Sequence, residues 1–284
     1  MIAATVEHAP AKLNLALHVT GRREDGYHTI ESVVAFTRFG DTISVSPAEQ
    51  DSVAVTGPYA ARLDGTNLVE RARDVLRGHA AASVPVAIHL EKRIPVAAGL
   101  GGGSADAAAT LRALCRVWRM EVPEDALCEI AMPLGADVPM CVLSRPLLAR
   151  GIGERMAPLD LGKIADRAVL LVNPGTSVST PEVFARVENP DGSALPAHVG
   201  SALEWLRATR NDLRGAATAL SPEIEDVLER LGDAEFATMS GSGATCIGLY
   251  ADDRSAAAAA SRIRASNADW FVEATRFTGA KATS

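Results

Sequence analysis

The stretch Lys92-Arg93-Ile94-Pro95-Val96-Ala97-Ala98-Gly99-Leu100-Gly101-Gly102-Gly103-Ser104-Ala105-Asp106-Ala107 decides how the rest of the chain is read. Four of the five residues 99–103 are glycine, and a loop without side chains can turn its backbone N–H groups toward a ligand. Ser104 stands where an N-cap belongs, and Ala108, Leu111, Leu114 and Trp118 repeat behind it at helical spacing. The spacing predicts a helix from Ser104 to about Arg119 whose N-terminus the loop opens onto. Free N–H groups and the helix dipole favour an anion there, such as a nucleotide phosphate. One glycine would be enough for a tight turn, so the run argues for more than a change of direction. No Gly-Lys-Ser/Thr ends the loop, which excludes a Walker A motif. Ser104 replaces the last glycine of a dinucleotide fingerprint, and no clean βαβ unit surrounds it. A phosphate cradle of another kind is expected.

Upstream, Leu13, Leu15, Leu17 and Val19 alternate with Lys12, Asn14 and His18, which predicts a half-buried strand. A polar loop with an Asp25-Gly26 turn follows, then apolar strand segments at 33–36 and 42–45. Residues 67–78 carry Leu68, Ala72, Val75 and Leu76 at helical spacing and end on glycine, and 84–90 reads as another strand. Downstream, Pro123 opens a short helix. A second segment begins with the strand 168–172 and continues with helices near 201–209, 222–231 and 255–265 and a strand at 245–250. The expected division is a domain of residues 1–162 and another of 163–284. Strands and helices mix without strict alternation, which points to an α+β fold.

Composition sets the outer limits. The chain has 284 residues, about two domains' worth. Hydrophobic residues at 48% and charged residues at 22% describe a folded protein rather than a disordered one. Lys plus Arg is 28 against 35 for Asp plus Glu, a net charge of -7, which argues against nucleic acid as a partner. The 4 cysteines, at 115, 128, 141 and 246, have neither metal-ligand nor secreted-scaffold spacing, so a reducing cytosol fits best. The N-terminus lacks a basic stretch followed by an apolar run, and nothing approaches the ~18 apolar residues of a membrane span. The chain reads as cytoplasmic and unprocessed.

Four further windows carry chemistry-bearing residues. In Leu134-Gly135-Ala136-Asp137-Val138-Pro139 an aspartate sits between a glycine turn and a proline, where it is ordinarily a helix N-cap. Pro10-Ala11-Lys12-Leu13-Asn14 puts a lysine and an asparagine on one polar strand face. Gly26-Tyr27-His28 places a tyrosine in a polar loop of a chain with only 4% aromatic residues. Residues 239–245 form a glycine turn into a strand, with an ordinary hairpin reading.

These windows, with Gly40-Asp41, Ala149-Arg150-Gly151, Gly153-Glu154, Asn211-Asp212-Leu213 and Ser240 to Thr245, occur in an order that resembles the superfamily of galactokinase, homoserine kinase, mevalonate kinase and phosphomevalonate kinase. Pro-Ala-Lys-Leu-Asn-Leu and Asp-Gly-Tyr-His are the more specific motifs. They resemble a branch whose alcohol substrate carries a cytidine diphosphate group. The resemblance implies an α+β, two-domain small-molecule kinase with its active site in the cleft between the domains, using ATP and Mg2+. It implies Lys12 and Asp137 as the catalytic pair. Pro95, Val96, Ala97, Ala98, Gly99, Leu100, Gly101, Gly102, Gly103, Ser104 and Ala105 match the ATP loop, with Asn67 grouped among the ATP residues. Asn14, Tyr27, His28 and Phe184 match the substrate residues. Ser104 is a candidate Mg2+ ligand, and no second protein ligand is identifiable. Ser144-Arg145-Pro146-Leu147 departs from the small residues that relatives often carry before the Gly-x-Gly-Glu turn.

The implied chemistry is physically coherent. A carboxylate within hydrogen-bond reach can orient an alcohol and accept its proton, a role worth ~10²–10⁴-fold. A lysine beside it keeps the carboxylate ionised and stabilises charge on the transferred group. Two alternatives stay open: a kinase of the mevalonate or homoserine type, and a non-catalytic nucleotide- or RNA-binding module. The negative net charge argues against the second, and the Tyr27-His28 pair against the first.

Overall fold

The N-terminal alternation builds a strand longer and more deeply buried than its pattern suggests. In the computed structural model, which describes residues 4–63, 67–187 and 192–279, β1 spans Thr5–Arg22 and β2 spans His28–Pro47. The Asp25-Gly26 turn joins them, with Gly26 at φ +88°, a left-handed conformation that glycine adopts without a Cβ clash. Residues 9–19 of β1 are buried on both faces, so the expectation of a half-buried strand is corrected. The polar face is covered because each of its side chains has a partner. Lys12 meets Asp137, Asn14 donates to Ser32, and His18 lies between the Ser193 carbonyl and the Arg210 N–H.

The remaining elements follow in chain order. They are β3 (Ser52–Thr56), α1 (Leu68–Arg77), β4 (Val86–Glu91), α2 (Gly102–Val117), α3 (Glu124–Ala131) and α4 (Val138–Leu143). Next come β5 (Leu147–Gly151), β6 (Arg155–Pro158), β7 (Ala168–Asn173), α5 (Thr180–Ala185), α6 (Ala202–Arg207) and α7 (Arg214–Leu220). The last are α8 (Glu223–Arg230), β8 (Phe236–Met239), β9 (Cys246–Tyr250), α9 (Asp253–Ser266) and β10 (Phe271–Arg276). Among the described residues no helix is long and apolar enough to cross a membrane.

The chain divides into two compact units, one of Met1–Lys12, Gly40–Val96 and Gly101–Ser144, the other of Leu13–Phe39, Ala97–Leu100 and Arg145–Ser284. The expected boundary between 162 and 163 is therefore not where the compact units part. Residues Ile30 to Val34 of β2 pair antiparallel with β5 from Gly151 to Leu147, which ties an N-terminal segment to the C-terminal half. Composition along the chain cannot register that pairing.

In the first unit, β4 pairs antiparallel with the end of β2, from Thr42↔Glu91 to Pro47↔Val86, and parallel with β3. Helix α1 packs on α2, and α2 and α3 pack on α4. The stripe expected from Ala108, Leu111, Leu114 and Trp118 is buried. Fully burying a large apolar side chain stabilises by about 1.5–3 kcal/mol. Gly40 allows the closest approach in this unit, since a Cβ there would fall 2.3 Å from the Ala9 carbonyl. In the second unit, β10, β7, β9 and β8 form an antiparallel sheet in that order. Its core is filled by Leu170, Val172, Ile224, Val227 and Ile263, together with Leu17 and Val19 of β1.

Candidate active site

Lys12 Nζ lies 2.8 Å from Asp137 Oδ2. The lysine side chain is 6% exposed and the aspartate 40%, so the pair is closed on the lysine side and open on the carboxylate side. Asp137 occupies the N-cap position of α4, yet its side chain makes no capping bond. The ordinary capping role read from its spacing is corrected: the carboxylate reaches for Lys12 instead.

Gly101 of the glycine run packs against Lys12. Helix α2 starts at Gly102, and its N-cap is Gly101 at φ +61°, not Ser104 as expected. Ser104 is the third residue of the helix. No side chain caps this N-terminus, so the first-turn N–H groups keep the capacity to bind an anion. A Cβ on Gly101 would stand 3.1 Å from Lys12 Cβ and Cε, so glycine is required for both the backbone angle and the room. Left-handed glycines in the loop are Gly99 and Gly101. Gly102 is helical, and a Cβ there would meet Lys92 Nζ and Ile94 Cγ2 at 3.0 Å.

Residues 97–100 are fixed within the second unit. The Ser240 hydroxyl donates to the Gly99 carbonyl at 2.9 Å and the Thr245 N–H to the Ala98 carbonyl at 3.2 Å. Ala97 is held at φ +53°, a conformation costly for a residue with a Cβ and often stored at functional sites. Residues 240–245 connect β8 and β9 as the expected hairpin turn, and the Asn211 amide donates to the Met239 and Gly241 carbonyls. Asn67, expected among the ATP residues, caps α1 by accepting the Val69 N–H at 3.0 Å.

Three of the four expected substrate residues make specific contacts in the second unit. The Asn14 amide donates to Ser32 Oγ at 2.7 Å, and its backbone N–H to Ser240 Oγ at 3.2 Å. His28 stacks on Phe184, ring centroids 5.4 Å apart and planes 27° from parallel. Burial and the charge of Arg22 lower the His28 pKa, so its ring stays neutral at pH 7 with one donor and one acceptor nitrogen. Tyr27 is 64% exposed, with its backbone N–H bound to the Asp25 carboxylate.

The pattern of the GHMP kinases N terminal domain matches residues 67–145, and that of the GHMP kinases C terminal domain matches residues 194–269. The 4-diphosphocytidyl-2-C-methyl-D-erythritol kinase of Mesorhizobium japonicum is 49% identical over 280 residues, 95% of this chain and 94% of the relative. The chain belongs to the 4-diphosphocytidyl-2-C-methyl-D-erythritol kinase family. A crystal structure of a 4-(cytidine 5'-diphospho)-2C-methyl-D-erythritol kinase superposes with a TM-score of 0.80 at 37% identity, covering 95% of this chain and 99% of the other. Homoserine kinase from Cytophaga hutchinsonii superposes at 0.68 with 16% identity, covering 98% of this chain and 96% of the other, and shares the fold. The chain is therefore a kinase with the expected α+β architecture. The mevalonate-type, homoserine-type and RNA-binding readings are set aside.

ATP is the donor in this class of kinase, and the uncapped N-terminus of α2 beside a buried lysine fits its phosphates. Among the described residues no group of three or more His, Cys, Asp or Glu could hold a metal ion.

The kinase also contains a cluster that its sequence motifs left without a role. Lys92 Nζ donates to Asp41 Oδ2 and Asp106 Oδ2, both at 2.6 Å, and all three side chains are sealed from solvent. Burial by itself lowers the lysine pKa, but the charges of Asp106 and Asp41 outweigh it and raise the group above its ordinary value. Burial, assisted by the Asp41 charge, raises the Asp106 carboxyl against the pull of Lys92. One signal was available: Asp106 is the only charged residue between Arg93 and Arg112.

Proposed function

We propose that this kinase phosphorylates the 2-hydroxyl of 4-diphosphocytidyl-2-C-methyl-D-erythritol, giving the 2-phosphate and ADP in the non-mevalonate route to isoprenoid precursors. The observation that carries the chemical part is the 2.8 Å pair of Lys12 and Asp137, with the carboxylate open to a substrate.

Bound ATP supplies the phosphoryl group, and Mg2+ bound with it offsets the charge of the phosphates. The first-turn N–H groups of α2 and the loop 95–105 hold the phosphates, with Ser104 offering a hydroxyl to the metal. Asp137 orients the tertiary alcohol through its exposed oxygen and accepts the alcohol proton at Oδ1 or Oδ2. Lys12 keeps that carboxylate ionised and stabilises charge building on the transferred oxygens. The cytidine end is held by Tyr27, His28 and Phe184. The stacked His28 and Phe184 rings offer an aromatic face, and the neutral imidazole can pair with the polar edge of a cytosine. Asn14 positions the substrate from the strand that carries Lys12. None of the four cysteines forms a disulfide, which supports a cytoplasmic setting.

The test is a panel of alcohols assayed for ADP release with ATP and Mg2+: the cytidine-bearing alcohol, the same alcohol without its cytidine diphosphate, mevalonate and homoserine. Turnover is expected with the first alone, and phosphorus NMR of the product should place the new phosphate on the tertiary carbon. Equal turnover of the truncated alcohol would overturn the substrate assignment.

A further inference from the structure

The buried Lys92 cluster has features that packing alone does not explain. Asp41 Oδ1 accepts the backbone N–H groups of Arg93 and Ile94, the latter at 2.8 Å, while Oδ2 takes the Lys92 ammonium. Asp41 thus fixes residues 92–94, where the chain leaves β4 and enters the glycine loop. The same ammonium binds Asp106, the fifth residue of α2, where the chain has just left that loop. A single buried cation therefore ties the two ends of a glycine-rich segment whose freedom would otherwise be large.

The charge balance points the same way. Two carboxyl groups share one ammonium, and Asp106 Oδ1 has no hydrogen-bond partner among the described residues. Burial pushes the Asp106 carboxyl up to about 8, so the cluster sets the Lys92 cation against the one buried negative charge of Asp41, and leaving either unpaired is costly. The cluster lies against the first turn of α2, since Lys92 Nζ is 3.0 Å from where a Cβ of Gly102 would stand. A bare negative charge there would repel an anion at the helix N-terminus. Lys92 cancels it. Gly102 is accordingly a glycine for what lies beneath the helix as well as for what binds above it.

We infer that Lys92, braced by Asp41 and Asp106, is a positioning residue for the nucleotide: it fixes both ends of the glycine loop and removes buried negative charge from beneath the helix N-terminus that receives the phosphates. The inference rests on the nucleotide reading of the loop. It assigns the cluster no contact with the alcohol and no part in proton transfer.

The experiment measures dissociation constants for ATP and for the cytidine-bearing alcohol separately, with melting temperatures, in the full-length enzyme. Lys92→Met should weaken ATP roughly 10- to 100-fold, the scale of an uncompensated charge at several ångströms in a partly screened site. Its affinity for the alcohol should change by less than about 2-fold, a split that a purely structural role would not produce. Asp106→Ala keeps a matched Lys92–Asp41 pair in a good helix former and should weaken ATP roughly 5- to 50-fold, the scale of a hydrogen bond to a charged group. Asp106→Asn retains an acceptor for the ammonium and should restore most of that loss. Ile88→Ala, a core truncation in β4, serves as the stability control.

The inference is overturned if Lys92→Met and Asp106→Ala bind ATP as wild type does, or if they lose ATP and alcohol in parallel as Ile88→Ala does. Should Lys92→Met fail to fold, the two Asp106 variants decide. Gly101→Val checks the underlying reading, because a β-branched residue resists φ +61°. If it leaves ATP binding intact, the nucleotide reading itself falls. If it weakens ATP while the cluster variants do not, only the positioning role falls.

Discussion

Two lysines of the same compact unit each meet aspartate, and they do opposite things. Lys12 pairs with one carboxylate whose side chain is 40% exposed. Lys92 pairs with two that are sealed. The residue types and the hydrogen-bond lengths are nearly the same, so neither decides the function. Access does. Asp137 keeps an approachable oxygen where an alcohol can dock and lose its proton, whereas Asp41 and Asp106 are sealed in with Lys92, each other and the backbone. A cation beside an open carboxylate tunes a reacting group; a cation between closed ones shapes the ground it stands on.

The contrast is sharpest in stability. Removing one partner from a buried ion cluster leaves charge uncompensated, so Lys92→Met should cost about 3–5 kcal/mol. Lys12→Met breaks a pair with a solvated partner and should cost about 1 kcal/mol or less. Denaturant unfolding of both variants checks this, and equal losses would erase the distinction. Next in size is the rate: Lys12→Met should lower turnover by roughly 10²–10³, the usual effect of removing one donor aimed at developing charge, with both affinities kept within a few-fold. A loss confined to ATP affinity would make Lys12 a second Lys92.

Smaller effects belong to the cytidine end. Tyr27→Ala should raise the alcohol's dissociation constant roughly 5- to 150-fold, the equivalent of ~1–3 kcal/mol of stacking on one base. ATP affinity should not change, which isothermal titration can show. The smallest expected effect is one of pH. Burial and the charge of Arg22 lower the His28 pKa from 6.5, so the neutral ring is the majority form at that pH and increasingly so above it. Alcohol affinity should be nearly constant from about pH 7.5 to 8.5 and weaken as the pH falls through and below 6.5, as protonation removes the acceptor nitrogen. A step within the window that disappears in His28→Gln would contradict a neutral, base-pairing role.

Much of the site was legible because its chemistry is local. The glycine run, the helix behind it and the Asp25-Gly26 turn follow from residues adjacent in sequence. The helix start was misplaced because Ser104 is the better cap by propensity, while Gly101 supplies the left-handed angle that the close approach to Lys12 requires. The burial of Lys12, Asn14 and His18 was not legible, since it depends on Asp137, Ser240 and Arg210, contributed by distant parts of the chain. Helices α4 and α5, of six residues each, are too short to show a period, which is why Asp137 read as a cap. Stacking of His28 on Phe184 is likewise a product of the fold. Lys92 escaped because a lysine at the end of a strand ordinarily faces water, and its burial depends on Asp41, to which β2 holds it by the pairing Thr42↔Glu91.

Asp137 does the proton chemistry and Lys12 supports it in the mechanism proposed for this site. Asp137→Asn, followed through a single turnover with ATP, Mg2+ and the cytidine-bearing alcohol, tests it most directly. The expected phosphoryl-transfer rate is lower by about 10²–10⁴ with both substrates bound nearly as in wild type. A rate within a few-fold of wild type, or a loss traceable entirely to weaker binding, would contradict it.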